Sequence, residues 1–179
     1  MYHNYIMVAG SILPVAIHNN KLYFLFGKEN PLEKSAKGWS DFGGRLENSE
    51  TPFSGAIREG SEELTGFLGN KSQLKKLIRN NGGVYKLKYN TYHIHIFCMR
   101  YDENLPMYFN QNHSFLWNNM DHDVLQKTKL FEKIEIEWFS IEDMKKKRKD
   151  FRNFYQQIVD LLCDDIDNIQ SFASSRFIK

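Results

Sequence analysis

The stretch Phe42-Gly43-Gly44-Arg45-Leu46-Glu47-Asn48-Ser49-Glu50-Thr51-Pro52, followed five residues later by Arg58-Glu59-Gly60-Ser61-Glu62-Glu63-Leu64-Thr65-Gly66, decides how this chain is read. Phe42-Gly43-Gly44 offers backbone able to turn tightly or to approach a ligand closely. Thr51-Pro52 places a cap and a first-turn proline ahead of a helix. The predicted order is a glycine loop, a capped helix from about Pro52 to Leu64, and a carboxylate face on that helix.

Glu59, Glu62 and Glu63 stand at i, i+3 and i+4, so their side chains share one helical face at about 5–6 Å. Like charges at this spacing oppose helix formation by about 0.2–0.5 kcal/mol per pair, and in a dry setting they raise one another's pKa. A positive partner is therefore expected. Hard cations such as Mg2+ or Mn2+ take oxygen ligands and suit three carboxylates beside phosphate oxygens. Zinc suits the stretch poorly, because no nearby Cys or His completes a site. A glutamate-rich helix can also be a plain solvated face; the glycines and cap that precede this one favour a ligand set.

From Gly44 to Gly66 the sequence resembles the box of the Nudix hydrolase family. That pattern is Gly, five residues, Glu, seven residues, Arg-Glu, an aliphatic residue, any residue, Glu-Glu, any residue, Gly and an aliphatic residue. Gly44, Glu50, Arg58, Glu59, Glu62 and Glu63 fall in register. Gly60 departs at the aliphatic position, where a helical glycine costs about 1 kcal/mol relative to alanine; the helix there is expected to be softer or closely packed. Thr65 departs at the late glycine, with Gly66 one residue later, and reads as one extra helical residue before a glycine C-cap.

The resemblance implies metal-dependent hydrolysis of a pyrophosphate linkage in a nucleoside diphosphate derivative, by water attack at phosphorus. It implies that Glu59, Glu62 and Glu63 bind the metal, with the main-chain carbonyl of Gly43 or Gly44 as a further ligand. Glu50 and Arg58 match the family's structural pair, which arginine can form through a bidentate, charge-assisted hydrogen bond. The general base is either a box glutamate or a glutamate on a later loop. Glu132, just ahead of a predicted strand, resembles the later-loop position and is favoured over its neighbour Glu135. The implied partner is a nucleoside diphosphate-linked small molecule or an RNA 5′ end, with an inositol pyrophosphate as an alternative substrate. A noncatalytic Nudix scaffold that binds nucleotide or RNA is the competing reading, disfavoured because a binding module has no need of so repulsive a carboxylate cluster.

The chain has 179 residues, 41% of them hydrophobic, a formal net charge of +2 and two cysteines. That suits one domain spanning 1–179 with its own core. No apolar run reaches the roughly 18 residues of a transmembrane helix, and Met1-Tyr2-His3-Asn4-Tyr5 lacks a basic secretory start, so a cytoplasmic protein with no membrane partner is expected. Cys98 and Cys163 lie far apart and read as free buried thiols. Two basic groups, Lys71-Lys75-Lys76-Arg79 and Lys145-Lys146-Lys147-Arg148-Lys149, either are solvated helix faces or attract a phosphorylated ligand or RNA.

Alternation predicts hairpins from Tyr5 to Phe26 around Asn19-Asn20, and from Val84 to Tyr101 around Asn90. Pro14 is expected to break the first strand or mark an exposed edge. Tyr92, Ile94, Ile96 and Cys98 fall on one face of their strand, and His93, His95, Phe97 and Met99 on the other. His93 and His95 are hydrogen-bonding residues or, less simply, a metal pair. Further expected elements are a short strand from Gly38 to Phe42, a short helical stretch around Leu74 to Arg79, a strand from Ile134 to Phe139, and a C-terminal helix over about 150–165 that begins at the second basic run. The tail from Asn168 carries little pattern. Pro106 to Asp123 reads as an irregular aromatic insertion that either stacks on a base or covers the core, and Trp39 carries the same two readings. The fold class is α+β, and the family resemblance implies an α/β/α sandwich with a mixed β-sheet.

Overall fold

The computed structural model describes residues 7–30, 37–128 and 132–176, with backbone alone at 126–128. Seven strands form one sheet: β1 (Ala9–His18), β2 (Lys21–Glu29), β3 (Trp39–Ser40), β4 (Phe42–Arg45), β5 (Tyr85–Tyr89), β6 (Tyr92–Cys98) and β7 (Lys133–Ser140). The spine runs β3-β2-β1-β6-β5, with β4 added on β1 and β7 on β2. Among the described strands the β1–β6 pairing is parallel and the others antiparallel, so the sheet is mixed as expected. The first hairpin turns through Asn19 and Asn20, both at positive φ, the geometry that matches strand twist. Asn90, at φ 52°, turns the second. The expected start of β1 at Tyr5 lies outside the described residues.

Pro14 is buried inside a central strand, not at an exposed edge. One side of β1 pairs with β4 through Ile12 and with β2 from Val15 onward. The proline sits where one partner gives way to the other, so its missing N–H costs no bond on that side.

Alternation sorts the core into two layers. Leu13, Val15, Ile94, Ile96 and Cys98 pack against α6 (Tyr155–Asp164) and α7 (Ile166–Ser174) through Tyr155, Ile158, Leu162 and Ile169. Ile12, Ala16, Leu25 and Phe97 pack against α1 (Pro52–Glu63), α2 (Lys71–Asn80) and α3 (Asn104–Asn119) through Ile57, Leu74 and Phe109. The result is an α/β/α arrangement. Cys98 and Cys163 are free thiols.

Further sequence expectations are corrected. The stretch Pro106 to Asp123 is helical, forming α3 and the start of α4 (His122–Thr128). Pro106 is tolerated because it falls in the first turn, where N–H groups have no helical acceptor. Leu105, Phe109 and His113 recur at every fourth residue as the buried stripe. Asn110 both donates to the Ile136 carbonyl and accepts from the Ile136 N–H, satisfying the outer edge of β7.

The single C-terminal helix is instead a series of shorter ones. Helix α5 (Ile141–Lys146) is followed by a 3-10 turn at Arg148–Asp150, and Phe151 then runs extended to bridge Trp39 before α6 begins. The tail beyond Asn168 stays helical to Ser174 because Ile169 and Ala173 are buried. The second basic run therefore precedes α6. Within it Lys147 pairs with Glu137 at 2.8 Å and Arg148 with Asp160 at 2.6 Å. Trp39 is a core residue, packed edge-on against Phe139.

Candidate active site

Helix α1 is fixed at its start by a capping box in which the Thr51 side chain accepts from the Ser54 N–H, with Pro52 in the first turn. Gly43 and Gly44 are not a loop but lie inside β4, paired with Ser11 and Gly10 of β1. Close approach is what the glycine at 44 provides: a Cβ there would stand 2.5 Å from Glu59 Oε1, so the carboxylate rests directly on the strand. The Leu46 N–H donates to the Val8 carbonyl. Antiparallel alternation then commits the main chain of Gly44 to Gly10 and turns that of Gly43 away from β1.

Arg58 joins these parts. Its Nε and NH2 donate to the two oxygens of Glu50 at 2.9 and 3.0 Å, NH2 also donates to the Arg45 carbonyl, and NH1 donates to Glu59 Oε1 at 2.8 Å. The Arg58 guanidinium and the Glu47 N–H hold the Glu50 carboxyl down at about 2. The sequence expectation that Arg58 and Glu50 tie loop to helix matches this geometry.

The three box carboxylates lie at three depths: Glu62 is exposed, Glu59 largely covered, and Glu63 buried. The chain supplies its own cations to the cluster that electrostatics demanded. Arg58 serves Glu59 and, at 3.5 Å, Glu62; Lys71 reaches Glu62 at 3.4 Å; Lys133 lies 3.8 Å from Glu63. Burial pushes the Glu63 carboxyl well above the ordinary carboxylate range while Lys133 pulls against it, and Glu29, Glu132 and Glu59 push further upward. Its Oε2 is buried with no hydrogen-bond partner among the described residues.

Lys133 and Glu29 are the residues that sequence reasoning missed. Lys133 is fully buried and donates to Glu29 Oε1 at 2.5 Å and to Ser40 Oγ at 2.7 Å. Strand alternation would put Lys133 on the outer face with Glu135 and Glu137. A register shift intervenes: Lys28 pairs with Glu135 and Glu29 with Lys133, leaving Ile134 unmatched. Such a bulge re-aims the side chain beside it. Glu135 and Glu137 do lie outward, in ion pairs with Lys28 and Lys147. Glu132 is half-buried, its carbonyl accepts from the Asn30 N–H, and its charge is felt by Glu63.

The two departures in the box have physical counterparts. A Cβ on Gly60 would meet Ile12 Cδ1 at 2.3 Å, so Ile12 fills the space an aliphatic residue would take. Thr65 is not an extra helical residue. Leu64 caps α1, and Thr65 takes φ 47° itself, the left-handed conformation that a glycine would adopt without strain. His95 is buried and its Nδ1 donates to the Ser11 carbonyl, the hydrogen-bonding role.

Among the described residues, no three Asp, Glu, His or Cys side chains converge as a ready-made metal cage, because Arg58, Lys71 and Lys133 already engage the glutamates. The donor chemistry nonetheless fits a hard divalent cation. Every available ligand is oxygen, and one buried carboxylate oxygen has no partner.

Comparison with known proteins accords with the box and the sheet. A 59-residue stretch, 32% of this chain, is 46% identical to uncharacterized protein L534 of Acanthamoeba polyphaga mimivirus, a match that spans 19% of that protein. Two solved structures of C. elegans Ap4A hydrolase, one a binary complex, superpose with a TM-score of 0.54. They are 14% and 16% identical, and the matches cover 92% and 91% of this chain and 98% of each of those. At that identity the likeness is one of fold. The family model for the NUDIX domain matches residues 11–162. A box in register, a mixed sheet between helical layers and a domain match over most of its length together place the chain in the Nudix family of hydrolases.

Proposed function

We propose that this chain hydrolyses a pyrophosphate linkage in a nucleoside diphosphate derivative, a capped RNA 5′ end included, with Mg2+ or Mn2+ held by Glu59, Glu62, Glu63 and the main-chain carbonyl of Gly43. What carries the reading is Glu63: a buried carboxylate with an unpartnered oxygen, facing Lys133 and surrounded by further glutamates. An arrangement so costly in isolation is repaid when a cation arrives. The metal, when bound, supplies charge neutralisation and Lewis-acid polarisation of phosphate oxygens.

The chain's own residues do the rest. Arg58 and Glu50 position β4 against α1, so that Glu59 rests on the strand at Gly44, next to Gly43. Lys133 holds Glu29 in place and balances the charge on Glu63. Glu132 accepts the proton of the attacking water, its closeness to Glu63 supporting that role. Positioning and electrostatics would then supply most of the rate.

A substrate panel with and without Mg2+ tests the proposal: capped RNA, Ap4A, ADP-ribose, nucleoside triphosphates and inositol pyrophosphates, with products identified. Ap4A belongs in the panel because of the C. elegans likeness. Metal-dependent cleavage at a pyrophosphate is expected, and Glu63→Gln should abolish it while the variant stays folded. Binding without turnover across the panel would favour the noncatalytic scaffold, and near-normal turnover in folded Glu63→Gln would refute the metal assignment.

A further inference from the structure

Helix α2 and strand β5 enclose a groove of about 780 Å³ on the same side of the sheet as α1 but outside the carboxylate cluster. Lys75, Lys76 and Arg79 line it from the helix and Lys86 from the strand; Phe53, Ile78 and Val84 contribute apolar surface. The four cations are exposed, and among the described residues none is held in an ion pair with a carboxylate. Elsewhere Lys71 serves Glu62, Lys133 serves Glu29, Lys147 serves Glu137 and Arg148 serves Asp160.

Their arrangement matters as much as their charge. Lys75 and Arg79 are one turn apart on α2, a rise of about 6 Å. Lys88, also exposed, follows Lys86 on the same face of β5 at about 7 Å. Lys75 and Arg79 therefore line the groove along α2 and Lys86 from β5, with Lys88 continuing the strand's line beyond the lining, a longer spread of charge than a lone phosphate would require. A repeated anion with apolar faces between its charges matches this spread of cations above an aromatic and aliphatic floor.

We infer that this groove binds the phosphodiester backbone of a single-stranded RNA, with Lys75, Lys76, Arg79 and Lys86 on successive phosphates and Phe53 beneath the bases. The groove is separate from the proposed catalytic carboxylates, so strand binding and turnover are tested apart.

The experiment is fluorescence anisotropy of a labelled single-stranded RNA 12-mer with the full chain in EDTA, titrated at several salt concentrations. Four phosphate contacts predict a log–log salt slope near −2.8, so affinity should fall about 50-fold between 50 and 200 mM salt. Replacing Lys75, Lys76, Arg79 and Lys86 together by Ala should weaken binding at least tenfold at 50 mM and flatten the slope, with folding checked by circular dichroism. Replacing the three lysines of the groove by Arg should preserve binding, since phosphates read charge. A control changing Lys145, Lys146 and Lys149 to Ala should leave affinity within twofold. The inference is overturned by absent binding at 50 mM salt, by an unchanged slope in the quadruple variant, by loss in the control, or by an RNA duplex or acidic peptide that competes better than the strand. Turnover of a small dinucleotide by the quadruple variant reports on the carboxylate site alone.

Discussion

Gly60→Ala should destabilise the protein, although alanine is the better helix former. In an exposed helix the exchange would gain about 1 kcal/mol. Here the new methyl carbon would stand 2.3 Å from Ile12 Cδ1 and 2.5 Å from Cγ1, and Ile12 is fully buried in the central strand. Two such overlaps against a side chain with nowhere to go put the overpacking cost at the upper end of its range, about 3 kcal/mol. The net loss of about 2 kcal/mol corresponds to a drop in Tm of about 4–8 °C for a chain of this size. Shortening Ile12 to Ala removes both overlapping atoms, at its own cost of about 2–5 kcal/mol. In that background the sign should invert, with Gly60→Ala raising stability by about 1 kcal/mol as the helix gain appears alone. Urea unfolding of the four proteins in this double-mutant cycle measures the coupling directly. If Gly60→Ala stabilises the wild type, or if the coupling energy is close to zero, the packing account of this departure from the box pattern fails.

Thr65→Gly should stabilise by about 1 kcal/mol, because it releases a β-branched residue from a left-handed backbone at some cost in unfolded-state entropy; a fall in Tm would refute the strain at φ 47°. Arg58→Ala should cost about 1.5–3 kcal/mol by breaking the charged bonds to Glu50 and freeing the end of β4, read by chemical denaturation. A well-folded Arg58→Ala variant with intact metal affinity and no turnover would show instead that Arg58 acts in the chemistry. Asp41 is fully buried, and desolvation raises its carboxyl to about 6 despite hydrogen bonds from Ser11 and Tyr92. The raised pKa means its contribution is fully present below about pH 4 and is lost as pH rises through 6, a swing of about 3 kcal/mol. Relative to wild type, Asp41→Asn should therefore gain stability by about that amount between pH 4 and 7, and parallel pH–stability curves for the two would contradict the assignment.

The parts of the molecule written in local pattern were legible, and those set by tertiary partners were not. Strand alternation sorted Ile94, Ile96 and Cys98 from His95, Phe97 and Met99 onto the two layers. Spacing placed Arg58 within reach of Glu50, and Thr51-Pro52 marked the start of α1. Helix α3 escaped because its buried stripe of Leu105, Phe109 and His113 is sparse and a proline stands in its first turn. Pro14 misled because a proline in a strand signals an edge unless the strand changes partners at that residue, which only the sheet reveals. Phe151 interrupts an otherwise helical pattern to bridge Trp39, a contact more than a hundred residues away in sequence. Lys133 is the most consequential omission. Its burial depends on one unmatched residue in β7, and nothing in Lys133-Ile134-Glu135-Ile136 distinguishes that irregularity from regular alternation.

That unmatched Ile134 also ties the mechanical integrity of the sheet to its electrostatics. Strand β7 lies at an outer position, where strands are prone to slide or to pair with a neighbouring molecule. Sliding it into regular register would swing Lys133 outward and leave Glu29 and Glu63 as buried anions deprived of a shared counter-ion. Glu29 and Glu63, the second of them proposed for chemistry, therefore act as a lock on an edge strand, and a chain that neutralised them would hold that edge less firmly even where no substrate is ever bound.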